Sequence, residues 1–265
     1  MRCIFCKTPS EQSRSREHII PQSLGNTKHV LPPGVVCDGC NHYFAIKVEK
    51  PVLDSEYFTR TRFTNAIPNK KGRIPTIELV GPNGEGLEMY RKVSGLQGIV
   101  PVDVASEKSF LKHIFSHERT MVCSKEVQLP DMKLVARLLT KAAIEILAHR
   151  IMAIDGWQSQ VVDKPELENI RSYARYGMGP PWPFYQRRIY PEHFRRFRRD
   201  GSSYETMHEF DLLHTEEHEL FAIICILGVE FAVNLGGRDV SGYARWLERM
   251  AYASPLYPTN GAHQE

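Results

Sequence analysis

The sequence has no run of about 18 apolar residues, which excludes a membrane-spanning helix of ordinary length. It has no glycine-rich loop of the kind that cradles nucleotide phosphates, so a nucleoside triphosphatase is not expected. Short-period repeats and low-complexity tracts are also missing, which removes solenoids and biased linkers. Charge of one sign is not in excess: 34 basic residues face 31 acidic ones, a formal net charge of +3. Attraction to nucleic acid would therefore have to come from local clusters. Cysteine is scarce, with six in 265 residues, and Met1-Arg2 leads straight to Cys3 without a signal-peptide pattern. The expectation is a reducing, cytoplasmic compartment and not a secreted disulfide framework.

Four of those cysteines fall in two tight pairs, Cys3-x2-Cys6 and Cys37-x2-Cys40. Each pair can point two sulfurs at one ion, and two pairs complete the tetrahedral set that suits structural Zn2+. Unrelated pairs or disulfides are the alternatives. Cys123 and Cys225 lie far away, the latter in an apolar run. The spacing between the pairs is longer than in a compact zinc ribbon, so the loop between them should carry structure of its own. It contains Ser15-Arg16-Glu17-His18-Ile19-Ile20-Pro21, and Asn41 follows the last cysteine. A strand ending at Arg16–Ile20 and a helix over Asn41–Val48 would let the knot gather Glu17, His18 and Asn41. A carboxylate and an amide oxygen form a hard pair suited to Mg2+ or Mn2+ that retains waters. The His18 imidazole beside them can take a proton from water near neutral pH. These are parts for hydrolysing a phosphodiester, with the ion countering charge on phosphate and leaving oxygen.

The run Glu17-His18-Ile19-Ile20-Pro21-Gln22-Ser23-Leu24-Gly25, followed by Val36-Cys37-Asp38-Gly39-Cys40-Asn41-His42-Tyr43-Phe44, resembles an HNH endonuclease. The resemblance is to the ββα-metal, or His-Me finger, group with a four-cysteine zinc site, and it covers roughly residues 1–60. Asparagine directly after the last cysteine is similar to the phage Holliday-junction resolvases of this group. The resemblance implies His18 as general base and Glu17 and Asn41 as ligands of a catalytic Mg2+ or Mn2+. It also implies a DNA substrate, probed through the minor groove, and at family level a place in anti-phage defence or mobile elements. One position departs from the pattern: Pro32 stands where the middle asparagine belongs. That leaves Asn26, His29 or a backbone carbonyl to orient His18. The competing reading is an inactive, zinc-stabilised module that binds nucleic acid or protein.

The expected fold class is α+β, with a ββα-metal module over residues 1–63 and, over 64–265, a mixed region of one long helix against several antiparallel strands. Turn-forming residues at 64–73 mark the boundary. Strands are expected at 74–80 and 87–93 around a Gly-rich turn, then at 209–213, 219–227 and 229–235. Helices are expected at 131–153, at 164–176 with Asp163 as cap, and at 240–252. The tail from residue 258 is expected to be disordered. Arg187, Arg188, Arg195, Arg196, Arg198 and Arg199 form a cluster suited to phosphate oxygens, with double-stranded DNA as the expected partner. A subunit contact in a homodimer or an acidic regulatory partner is the alternative use of these arginines. Lys28, Lys47 and Lys50 are the next candidates. His113 and His117 have helical i, i+4 spacing but no third ligand, so an exposed helix is expected there.

Overall fold

The computed structural model describes residues 1–69, 71–116, 121–191 and 208–257. The described elements begin with β1 (Glu17–His18), β2 (Val30–Leu31) and α1 (Asp38–Phe44). A π turn over Ala45–Glu49 leads into α2 (Lys50–Leu53). Next come α3 (Glu56–Thr64), β3 (Ile77–Val80), β4 (Gly86–Arg91), β5 (Gln97–Pro101), α4 (Val104–Phe115) and β6 (Cys123–Ser124). The remainder is α5 (Met132–Ile151), α6 (Trp157–Val162), α7 (Glu168–Tyr176), β7 (Tyr185–Arg188), β8 (His208–His214), β9 (Leu220–Ile226), β10 (Val229–Asn234) and α8 (Ser241–Arg249). The fold is α+β, and every strand ladder described is antiparallel.

The described chain packs as two compact units. One comprises Met1–Gln22, Asn26–Pro51 and Asp131–Glu265; the other comprises Ser23–Gly25 and Val52–Pro130. This partition differs from a cut after residue 63. Composition marks the turn-rich stretch at 64–73, whereas packing follows α5, which lies against the π turn after α1.

Within the first unit, α5 is the central element. It is buried over Val135, Ala136 and the run Leu138–Ala148, so apolar neighbours cover more than one face. It packs on α7 and on strands of the four-stranded sheet ordered β7-β10-β9-β8. The expectation of a long helix against antiparallel strands is met. Between β9 and β10 the chain reverses through Leu227 (φ +51°) and Gly228 (φ +83°), a turn with both central residues left-handed. A Cβ on Gly228 would also meet the Tyr190 carbonyl oxygen at 2.7 Å. Helix α8 lays Tyr243 and Leu247 on Phe221, Ile223 and Ala232. Met250, the residue that caps the end of α8, is exposed.

Two helix starts differ from expectation. The first helix begins at Asp38, not Asn41, because Cys37 is its N-cap and the Cys37 sulfur accepts the Cys40 N–H. The expected 164–176 helix is a 3-10 turn over Pro165–Leu167 followed by α7, which ends at left-handed Gly177. Lys164, not Asp163, is the cap residue; the Asp163 carboxylate pairs with Arg2 at 2.6 Å. The π turn has a local cause. Pro51 has no N–H to give the helix, and its ring crowds the carbonyl four residues earlier, so a wider turn relieves the clash.

The second unit holds the sheet ordered β5-β4-β3-β6. Ile77 pairs with Met89 and Val80 with Gly86 across the predicted hairpin. Leu79 and Leu87 are buried, while no residue of α4 is.

Candidate nuclease and metal sites

The N-terminal 44 residues build a ββα element around four sulfurs. The first knuckle closes through the Cys3 N–H on the Thr8 carbonyl and the Lys7 N–H on the Cys3 carbonyl, both 2.9 Å. Lys7 takes a left-handed conformation (φ +62°) to make that turn. The Cys37 N–H donates to the Cys3 sulfur and the Cys40 N–H to the Cys37 sulfur, each at 3.4 Å. The sulfurs of Cys3, Cys6, Cys37 and Cys40 all lie within 4.8 Å of one another. Cys6 and Cys37 sulfurs are 3.6 Å apart. A tetrahedral Zn–S4 centre needs S···S of about 3.8 Å, so the donor set fits zinc. All six cysteines are free thiols. The hydrogen bond from Cys40 lowers the Cys3 thiol to about 5, and burial raises Cys37. Helix α7 braces this knot: the Arg175 guanidinium lies 3.5 Å from the centre of the Tyr43 ring. Arg171, 1% exposed, donates to the Ile4 carbonyl at 2.8 Å and to that of Val161 at 2.5 Å.

β1 pairs with β2 through Glu17 opposite Leu31 and His18 opposite Val30. Asp38 fixes the approach to β1: its carboxylate accepts the N–H and Oγ–H of Ser15 at 2.9 and 2.6 Å and the N–H of Arg14 at 3.1 Å. The hydroxyl and backbone N–H of Ser15 hold the Asp38 carboxyl below its ordinary range. Asn41 donates Nδ2 to the Arg16 carbonyl at 3.2 Å, which sets α1 beside the residue preceding Glu17. Its Oδ1 is the acceptor end of that amide, the atom a hard cation takes.

Glu17 is 5% exposed and faces inward. Its Oε1 lies 2.7 Å from Lys141 Nζ, and its Oε2 is buried with no hydrogen-bond partner among the described residues. Such an orphaned carboxylate oxygen is a fit donor for a divalent cation. Burial raises the Glu17 carboxyl, Lys141 opposes the rise and Glu49 adds to it. The same burial raises Glu145 well above the carboxylate range. Burial lowers Lys141, but the pull of Glu145, Glu17 and Glu49 more than reverses this and holds it charged. Among the described residues, the four cysteines are the sole set of three or more His, Cys, Asp or Glu donors close enough for one ion. A catalytic cation at Glu17 would thus keep much of its shell as water or phosphate oxygen, as Mg2+ commonly does.

Asn26, a candidate for orienting His18, is fully used by the hairpin loop. Its amide donates to the Ile20 and His29 carbonyls and accepts from the N–H groups of Lys28 and His29, which exhausts its capacity. His29 directs Nε2 to the His208 carbonyl at 3.0 Å and packs on Phe210. His42 is exposed.

The arginine cluster divides. Arg187 lies opposite Glu230 in the β7–β10 ladder, and its Nε meets the buried Glu230 carboxylate at 2.5 Å. Its Nη1 donates to the Tyr252 carbonyl at 2.7 Å. Arg188 is exposed. Arg195, Arg196, Arg198 and Arg199 lie outside the described residues, as do His117 and the tail from residue 258. Sequence reasoning missed Lys141, Arg171, Arg175 and Asp38, and it passed over exposed Arg14 and Arg16 beside β1. Two arginines within three residues before the Glu-His pair were the available signal for the last two.

A ββα hairpin-and-helix is thus closed at one end by four clustered cysteines, a donor set that fits a structural zinc ion. Residues 3–55 match the HNH endonuclease family model, a match confined to the N-terminal part of the chain. Comparison with curated proteins finds no match, and comparison with solved structures finds none either.

Proposed function

We propose that this protein is a metal-dependent endonuclease that hydrolyses phosphodiester bonds of double-stranded DNA. The carrying observation is Glu17-His18 on β1 beside Asn41 on α1, within the segment that matches HNH endonucleases. In this reading residues 1–63 carry the chemistry, and residues 64–265 position DNA, form a homodimer or take a regulatory partner. Exposed Val93, Leu96, Val102 and Val104 support contact with a protein. Zn2+ on Cys3, Cys6, Cys37 and Cys40 ties the knuckles together.

His18 acts as general base: its imidazole takes a proton from water as the water oxygen attacks phosphorus. The bond from phosphorus to the leaving oxygen then breaks, and that oxygen takes a proton from solvent. Glu17 Oε2 and Asn41 Oδ1 would hold Mg2+ or Mn2+, which when bound supplies positive charge against the phosphate and leaving oxygens. Arg14, Arg16 and Lys28 are exposed near β1 and suit phosphate oxygens, with Arg188 and Arg195, Arg196, Arg198 and Arg199 as a more distant set in sequence. Arg187 is given to Glu230 and is set aside. Four thiolates that must stay reduced suit the cytoplasm, and defence against phage is the biological setting the resemblance favours.

Glu17→Gln and Asn41→Ala test the metal assignment. Each should lower Mn2+ affinity, read by electron paramagnetic resonance, and lower cleavage by at least about tenfold, with partial recovery at raised Mn2+. Unchanged Mn2+ affinity in both variants would contradict it.

A further inference from the structure

One fully buried cation has no part in the chemistry above. Lys141, on α5 and 123 residues after His18, has a side chain 0% exposed. Four oxygens surround its Nζ: Glu17 Oε1 at 2.7 Å, Glu49 Oε1 at 3.0 Å, Glu145 Oε2 at 3.1 Å and the His18 carbonyl at 3.2 Å. Two of these belong to β1. Glu49 closes the π turn that continues the helical run from Asn41. A single ammonium therefore ties the strand bearing Glu17 and His18 to the helix bearing Asn41. The β1–β2 ladder is two residues long and is too short to fix those side chains by itself.

The three acids are not a cation site in their own right, because their oxygens do not form a close donor set. Lys141 is the cation of the cluster. By holding Oε1 of Glu17 it leaves Oε2 as the free donor, buried and unpartnered among the described residues.

We propose that Lys141 is a positioning residue of the nuclease site, selecting which Glu17 oxygen faces the catalytic cation and setting β1 against α1. The proposal rests on the nuclease reading. It makes the site composite, since a helix beginning at residue 132 supplies its floor. Lys141 touches neither water nor phosphate in this scheme; it acts through the Glu17 carboxylate and the His18 backbone.

The test uses the zinc-loaded full-length chain with supercoiled plasmid, together with Mn2+ titration followed by electron paramagnetic resonance. Two variants are compared: Lys141→Met, and Lys141→Met combined with Glu49→Gln and Glu145→Gln, which removes the acids left unpaired by the first change. At least one should keep its zinc and its KM for DNA. In that variant kcat and Mn2+ affinity should each fall about 10- to 100-fold, the scale for losing a partner that orients a metal ligand. A zinc-loaded variant with wild-type kcat and Mn2+ affinity overturns the proposal while leaving the nuclease reading intact. Loss of zinc and fold in both variants also overturns it, and assigns Lys141 to the scaffold alone. A wild-type protein that neither cleaves DNA nor binds Mn2+ removes the nuclease reading itself, and the proposal with it.

Discussion

His29 and His149 both pack on the Phe210 ring, with centroids 4.7 and 5.5 Å away. Burial lowers both below the ordinary histidine value of 6.5. Between the folded and unfolded values the unfolded chain binds more protons, so stability rises with pH across that window. The contribution is complete above pH 6.5 and is lost as pH falls through that value toward the folded ones. Melting temperature should therefore drop between pH 7.5 and 5.5, and His149→Gln should show a smaller drop. An equal drop in the variant would show that His149 carries none of it. The four cysteines were legible in the sequence because each pair is a short local pattern, and the fold brings their sulfurs within 4.8 Å of one another. Lys141 was not legible. A lone lysine in an apolar helical pattern reads as a tolerated surface position, and the carboxylate it serves on β1 is more than a hundred residues away.

Elements follow the same division. The β3–β4 and β9–β10 hairpins and helix α5 were legible from alternation, turn residues and helical spacing. Strand β7 was not, because Arg187 and Arg188 read as part of a charge cluster; Arg187 is instead the cross-strand partner of Glu230. The start of α1 was misplaced by three residues because a metal-type cysteine serves as its cap. Helix α7 carries a prediction of its own. Arg171 joins it to the first knuckle through the buried Ile4 carbonyl. Arg171→Ala leaves that carbonyl and the Val161 carbonyl without their charged donor, at a cost of about 3 kcal/mol. Denaturant unfolding should show the loss, and a chelator should strip zinc faster than from wild type. Wild-type stability and zinc retention would mean that α7 does not support the knot.

At the scale of the molecule, the N-terminal ββα element packs in one compact unit with residues from 131 onward, while residues 52–130 pack mainly with themselves. No helix among the described residues is long and apolar enough to cross a membrane. The buried contacts that Lys141 and Arg171 make with Glu17 and Ile4 explain why a boundary read from composition does not coincide with the packing. The role proposed for His18 is to activate water against a phosphodiester. Supercoiled plasmid incubated with zinc-loaded protein and Mg2+ or Mn2+ tests it most directly, with His18→Ala beside wild type. Wild type should give nicked or linear product, and His18→Ala should lose roughly 100-fold or more of that activity with zinc content and DNA binding retained. Cleavage by His18→Ala at the wild-type rate, or no cleavage by a zinc-loaded wild-type protein that binds DNA, would contradict it.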